Sequence, residues 1–200
     1  MTADTPAPSE TPRSRLLEIV ERRALLRFDE PRRLSSGEMS NVFVDAKAGL
    51  ARGGDLALAC RVIAQSVEAA GIDFDAVGGL TLGADQFAHG IAAVLDGDVE
   101  WFVVRKQAKG RGTNQLVEGA RLAAGRRVLL VDDIVTTGGS IRQAHERVAE
   151  TGADIVAAVT LLDRGDVAAR FFAEPGVPYL PVFTYRDVGI DPVGGGSGDT

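Results

Sequence analysis

Two adjacent carboxylates, Asp132 and Asp133, follow the apolar run at 128–131 and precede Thr136, Thr137, Gly138, Gly139 and Ser140. Glycines in such a turn let backbone N–H groups approach a phosphate, the hydroxyls add donors, and a following helix points its positive end at the ligand. That helix is expected from Ile141, Ala144 and Val148, which share one face. The segment is an anion cradle. It contains no Gly-Lys-Ser/Thr and lacks the dinucleotide glycine spacing, so it is neither a nucleoside-triphosphate loop nor a dinucleotide fingerprint. Carboxylates repel phosphate, so Asp132 and Asp133 suit hydroxyl groups, a bound magnesium ion, or positive charge that develops during reaction. A phosphorylated sugar offers both features.

A second cluster lies upstream. Arg105, Lys106, Lys109 and Arg111 place four cations within seven residues, with Gly110 and Gly112 beside them, in the polar segment 106–119. A flexible, electropositive flap of this kind can close on a diphosphate and exclude water.

The elements that must position these groups are legible in the apolar spacing. Leu16, Leu17, Val20, Leu25 and Leu26 suggest an amphipathic opening helix from about residue 14, followed by a loop through Pro31 and a short strand at 42–44. A second helix is expected at about 54–70. Strand-length apolar runs at 76–79, 101–105, 128–131 and 155–162 then alternate with helical stretches at 86–95 and 140–151. Strands apolar on both faces and separated by helices imply an α/β fold, with a twisted, mostly parallel sheet flanked by helices. Residues 13–190 read as one domain, between a Pro/Ser/Thr-rich tail at 1–12 and a Gly-rich tail at 191–200, both expected to be disordered.

Composition narrows the partners. The 22 Lys and Arg against 28 Asp and Glu leave a net charge of −6, which gives no overall footprint for nucleic acid or an anionic membrane. With one cysteine, Cys60, and two histidines distant in sequence, His89 and His145, neither a disulfide framework nor a zinc cluster can form, and the histidines receive no role. No apolar run is long enough to span a bilayer and the amino terminus lacks a signal-peptide pattern, so a cytoplasmic protein is expected.

On residues 128–140 the chain resembles the type I phosphoribosyltransferases, which transfer ribose 5-phosphate from phosphoribosyl pyrophosphate to a nitrogenous base; Asp-Asp-Ile-Val-Thr-Thr-Gly-Gly-Ser matches their ribose-phosphate signature. Within that family, residues 105–112 resemble the mobile loop of orotate phosphoribosyltransferases, usually Arg-Lys-x-x-Lys-x-His-Gly. The likeness extends over about 34–164: LSSGEMSNVFVD resembles the base-binding hood, Gly-Gly-Leu-Thr-Leu-Gly-Ala-Asp at 78–85 the pyrophosphate loop, and Leu-Leu-Asp-Arg at 161–164 the strand end carrying an orotate-contacting arginine.

The resemblance implies roles. Asp132 and Asp133 would hold the ribose hydroxyls and favour a cationic ring, Thr136, Thr137, Gly138, Gly139 and Ser140 the 5-phosphate, and Gly83 and Ala84 a phosphate through backbone donors. Arg105, Lys106, Lys109 and Arg111 would meet the diphosphate, Lys109 also acting in catalysis. Phe43 would pack on the base and Arg164 would meet its carboxylate. Orotate and phosphoribosyl pyrophosphate are the implied substrates, Mg2+ the implied cofactor, held mainly by substrate and water rather than by direct protein ligands, and a homodimer the implied assembly. Three departures stand out. Arg111 replaces the loop histidine and cannot exchange a proton near neutrality; Phe43 is the only ring in the hood strand; and Leu82-Gly83-Ala84-Asp85 differs from the commoner Thr-Gly-Gly-Ile-Pro. They leave open a phosphoribosyltransferase for another base, or a non-catalytic regulator that senses phosphoribosyl pyrophosphate.

Overall fold

Side chains that alternate between two buried faces organise the molecule. A computed structural model describes residues 11–34, 37–95, 97–107 and 116–193. In strand β6 (Arg127–Val135), Leu129 and Val131 join one apolar cluster while Val128 and Leu130 join the other. This period of two, with both sets apolar, is what a strand covered on both faces requires. The first cluster takes in Leu16 and Ile19 of α1 (Pro12–Ile19), Ala59 to Val67 of α3 (Gly53–Ala69), and Phe87 and Ile91 of α4 (Asp85–Val94). Helices α5 (Gly139–Ala149) and α6 (Val167–Ala173) cover the other face through Ile141, Ala144, Val148 and Phe172.

The main sheet has six strands in the order β5-β4-β3-β6-β7-β8. Strands β3 (Ala76–Leu80), β4 (Glu100–Val104), β6, β7 (Asp154–Asp163) and β8 (Tyr179–Thr184) pair in parallel, and β5 (Val117–Gly119) is antiparallel to β4. Adjacent β3 and β6 send their following helices to opposite faces. The two connections therefore diverge and open a crevice at the carboxyl ends of these strands, the topological switch point at which open α/β sheets bind ligands. Close packing here demands glycine: a Cβ at Gly78 would sit 2.2 Å from the Phe102 carbonyl oxygen, and one at Gly79 2.1 Å from that of Val131. A separate antiparallel pair, β1 (Leu25–Arg33) and β2 (Met39–Val44), forms the hood, and the short helix α2 (Ala46–Gly49) leads from it to α3.

Several boundaries differ from those read in the sequence. Leu25 and Leu26 do not extend the opening helix; after a π-helical turn at Val20–Ala24 they begin β1, where Leu25 pairs with Val44 and Leu26 with Phe43. Pro31 lies inside β1 rather than in a loop, in the register gap between Arg27 and Arg32, where no ladder hydrogen bond asks for its missing N–H. Strand β6 does not end before the paired acids but runs through them to Val135. Strand β5 lies at the end of the segment 106–119 read as a loop, where pairing with β4 draws Val117–Gly119 into the sheet; elements α2, α6 and β8 carry no expectation from the sequence.

At the ends, Thr11 caps α1 by accepting from Ser14 N–H at 3.1 Å, with Pro12 at the first helical position. Val193 is buried and its N–H donates to the Arg164 carbonyl at 2.6 Å. Residues 11, 12 and 191–193 thus belong to the folded unit, because capping and a buried valine tie them down; the rest of both tails lies outside the described residues. No helix among the described residues is long and apolar enough to cross a membrane.

Candidate active site

The crevice is a cleft of about 880 Å³ lined from the hood, from the β3–α4 connection, from the end of β4 and from β6. Asp132 and Asp133 form its floor. Asp132 is 4% exposed, and its Oδ1 accepts the N–H of Asp133 at 3.0 Å. Burial, and after it the charge on Asp133, pushes the Asp132 carboxyl well above the usual carboxylate range. Asp133 is held from three sides: its Oδ1 accepts the Ile134 N–H at 2.8 Å, its carbonyl accepts from Thr160 Oγ1 at 3.2 Å, and its Oδ2 meets Lys47 Nζ at 2.9 Å.

The loop after β3 lies against this pair. A Cβ on Gly83 would come within 2.5 Å of Asp133 Oδ1 and 2.8 Å of Asp132 Oδ1, so any side chain there would push the acids aside. Gly83 lines the cleft; Ala84 does not. Ala84 is fully buried and gives its N–H to the Leu80 carbonyl at 3.2 Å, so the expectation that it offers a phosphate a backbone donor is not met. The next residue, Asp85, is also pushed upward by burial, and its Oδ1 has no hydrogen-bond partner.

Thr136 and Ser140 face the cleft, while Thr137, Gly138 and Gly139 form the turn between them. Gly138 sits at φ +73°, the left-handed region that favours glycine, and caps α5 without any side chain closing its first turn. The amino end of α5 is thereby left to backbone N–H groups, which suits an anion.

Arg164, just past β7, is 2% exposed. Its Nη1 donates to the Val42 carbonyl at 2.9 Å and its Nη2 to Ser40 Oγ at 3.1 Å, while its Nε has no partner. Burial lowers its pKa, with Glu38 opposing the shift. Among the described residues no carboxylate stands within ion-pairing distance. A buried guanidinium without such a partner is costly unless something anionic arrives. Phe43, 41% exposed, lines the same cleft.

Of the flap cations, Arg105 and Lys106 line the cleft, and Arg105 Nη1 donates to Glu118 Oε1 at 3.1 Å. Lys109 and Arg111 lie outside the described residues. His89 and His145 stand away from the cleft: His89 meets Trp101 edge-on at 4.4 Å between ring centres, and His145 packs against Phe171 and Phe172. Cys60 is buried, and burial pushes its thiol up to about 12, in keeping with a core residue.

Lys47 escaped the sequence reading. Asp45 caps α2 by accepting the Ala48 N–H at 2.9 Å, which fixes the helix that carries the lysine. The Asp-Ala-Lys stretch after a strand signals the cap; nothing local signals a partner 86 residues away.

A parallel sheet with a switch point, a glycine-turned anion cradle, paired acids on its floor and a hood above define a phosphoribosyltransferase. Residues 51–170 match the family model described as the phosphoribosyl transferase domain, and the chain belongs to that family. Its relatives include proteins named orotate phosphoribosyltransferase. It is 35% identical to the Corynebacterium glutamicum enzyme of that name over 181 residues, which cover 90% of this chain and 95% of the other. It is 41% identical to the one from Streptomyces avermitilis over 162 residues, 79% of this chain and 87% of the other. The crystal structure of the Mycobacterium tuberculosis orotate phosphoribosyltransferase in complex with 5-phospho-α-D-ribosyl 1-diphosphate superposes with a TM-score of 0.74 at 33% identity, covering 90% of this chain and 100% of that one.

Proposed function

We propose that the chain is an orotate phosphoribosyltransferase, which transfers ribose 5-phosphate from phosphoribosyl pyrophosphate to orotate and yields orotidine 5'-phosphate and pyrophosphate. The observation that carries the proposal is the buried Arg164 guanidinium, with no carboxylate in ion-pair contact among the described residues although Glu38 acts on it from further off, in the same cleft as the acid pair and the phosphate cradle. A planar carboxylate on the base supplies the missing anion and suits the fork of an arginine. The relatives of that name support the same substrate.

The reaction is displacement at the anomeric carbon by a ring nitrogen of the base, through an oxocarbenium-like transition state. Charge must separate, so fixed charges count for more than proton transfer. In the proposed arrangement the α5 cradle, Thr136 to Ser140, holds the 5-phosphate. Asp132 and Asp133 hold the ribose hydroxyls and face the developing cationic ring. Arg105 and Lys106, with Lys109 and Arg111 by resemblance, take the growing charge on the leaving diphosphate. Phe43 packs on the base.

Magnesium fits this donor set as a shared ligand. Among the described residues no three His, Cys, Asp or Glu side chains gather into a cage, and Mg2+ usually keeps several waters and takes substrate phosphates as ligands, so it would be held mainly by the donor and water above Asp132 and Asp133. When bound it would neutralise diphosphate charge. The proposal includes a cytoplasmic homodimer, which sedimentation of the purified protein tests.

The decisive assay mixes protein, Mg2+, phosphoribosyl pyrophosphate and orotate. Orotate absorbance falls and pyrophosphate appears in step. Turnover with uracil, hypoxanthine, xanthine or adenine but none with orotate would reject the substrate, and no turnover with any base would reject the enzyme.

A further inference from the structure

Residues 188–193 run to the turn that carries Arg164. We infer that segment 188–193 is a strap that positions Arg164 and so sets the enzyme's discrimination for a carboxylated base, an inference that rests on the orotate reading above. Both backbone polar groups of Arg164 are pinned, and by different parts of the chain. Its N–H donates to the Val135 carbonyl in β6 at 2.8 Å, and its carbonyl accepts the Val193 N–H at 2.6 Å.

The strap also lies flat on the next residue. A Cβ at Gly165 would stand 2.3 Å from the Val193 carbonyl oxygen, an encounter with backbone that no rotamer relieves. From beneath, Asp163 braces the turn: its Oδ1 accepts the Gly165 N–H at 3.0 Å and its Oδ2 accepts from the Tyr179 hydroxyl at 2.9 Å. The strap has its own anchors, because Val188, Ile190 and Val193 are buried and the Ile190 N–H donates to the Tyr185 carbonyl at 3.1 Å.

A guanidinium fork recognises a carboxylate only in the right plane, so freeing its backbone degrades that contact first. Arg164 holds two further hydrogen bonds to the hood, at Val42 and Ser40. With the strap loosened, those bonds drag the side chain toward β2. Among the described residues no hydrogen bond joins Val193 to the acid pair or to Thr136–Ser140; its one backbone bond goes to Arg164. Donor binding is therefore expected to stay.

The experiment uses the full-length protein and two independent perturbations. Val193→Pro deletes the donor N–H, and Gly165→Ala pushes the strap away. Val193→Ala keeps the N–H and serves as the conservative variant. Orotate KM is expected to rise about tenfold in the first two, the size of one lost hydrogen bond to a buried group, with phosphoribosyl pyrophosphate KM within about twofold. The preference for orotate over uracil falls by the same factor, and Val193→Ala stays near wild type. A role confined to folding would lower both substrates' parameters together and leave that preference intact; this result, or unchanged orotate KM, overturns the inference. If Val193→Pro does not melt cooperatively, Gly165→Ala decides, and if neither folds, the strap is a folding element and the inference falls. Wild-type protein that never uses orotate would instead defeat the parent reading.

Discussion

Lys47 is the sharpest test of how the cleft manages charge. Asp85, Asp132 and Asp133 lie near one another, and Lys47 is a cation that acts on all three: it pairs with Asp133 at 2.9 Å and opposes the upward shifts of Asp85 and Asp132. Replacing it by methionine keeps the stem and deletes the charge, leaving the diphosphate to approach a more negative floor. Unit charges about 4 Å apart interact by about 4 kcal/mol at an effective dielectric of about 20, and by about 1 kcal/mol in water. The lysine side chain is 51% exposed and that of Asp133 16%. Solvent screening therefore reduces the effect to roughly 1–2 kcal/mol, a factor of about 5–30.

Steady-state kinetics with phosphoribosyl pyrophosphate varied at saturating orotate measure it. Lys47→Met raises the donor KM by about 5–30-fold, Lys47→Arg by far less, and the gap narrows as salt is added. A second signature lies in pH. Lys47 holds Asp132 down, so without it the Asp132 pKa climbs further; the ionised form then appears only at higher pH, and the acid limb of the rate profile moves upward. A donor KM and an acid limb that both stay put in Lys47→Met would refute the reasoning.

Arg164→Met removes a buried charge that has no ion pair among the described residues, so kcat/KM for orotate falls by about 10–150-fold, from the 1.5–3 kcal/mol typical of bonds to charged groups, while the melting temperature holds or rises; a marked loss of melting temperature would show instead that the guanidinium is structural. Gly83→Ala drives a Cβ into Asp133 Oδ1, and a shift of about 1 Å in the acid pair costs up to about 100-fold in kcat, read against an intact thermal unfolding curve. Asp75, gripped by Arg127 through Oδ1 at 2.7 Å and a backbone N–H at 2.9 Å, has its carboxyl lowered to about 2. A depressed folded-state pKa contributes stability above the unfolded value of 3.8 that is lost as pH falls toward about 2. In acid titrations wild type therefore outlasts Asp75→Asn at pH 5, and the difference shrinks as pH falls from about 4 and is lost below about 2.

The parts legible in the sequence are those written in local pattern. Residues 128–140 display strand, acids, glycine turn and helix in order because a strand-to-helix phosphate cradle is one continuous piece of chain. Helices α3 and α4 were equally plain from their apolar spacing. What stayed hidden depends on contacts between distant segments. Leu25 and Leu26 fit a helical stripe, yet Val44 and Phe43 recruit them into β1, so tertiary pairing overrides local period. Polar residues inside a strand read as its end, so the sequence pattern stops β6 before Asp132, although β7 continues pairing with it to Asp163. Lys47 and the Val193 strap lack any local signature, because each acquires its meaning from a partner far along the chain.

The net charge of −6 looks at first at odds with a donor that carries phosphate at one end and diphosphate at the other. The fold resolves this by concentration. Lys47 from α2, Arg105 and Lys106 from the end of β4, and Arg164 from the end of β7 all line one cleft at the switch point, where the helix amino terminus of α5 adds its own positive end. The acids on the floor are two adjacent residues of one strand, and the cations stand around them on α2 and just past the ends of β4 and β7. In the proposed arrangement negative charge would lie beneath the sugar, the cations Lys47, Arg105 and Lys106 around its anionic ends, and Arg164 at the base. That separation favours a cationic ring parting from a diphosphate, whereas cations spread evenly over the surface would bind the donor without favouring its cleavage.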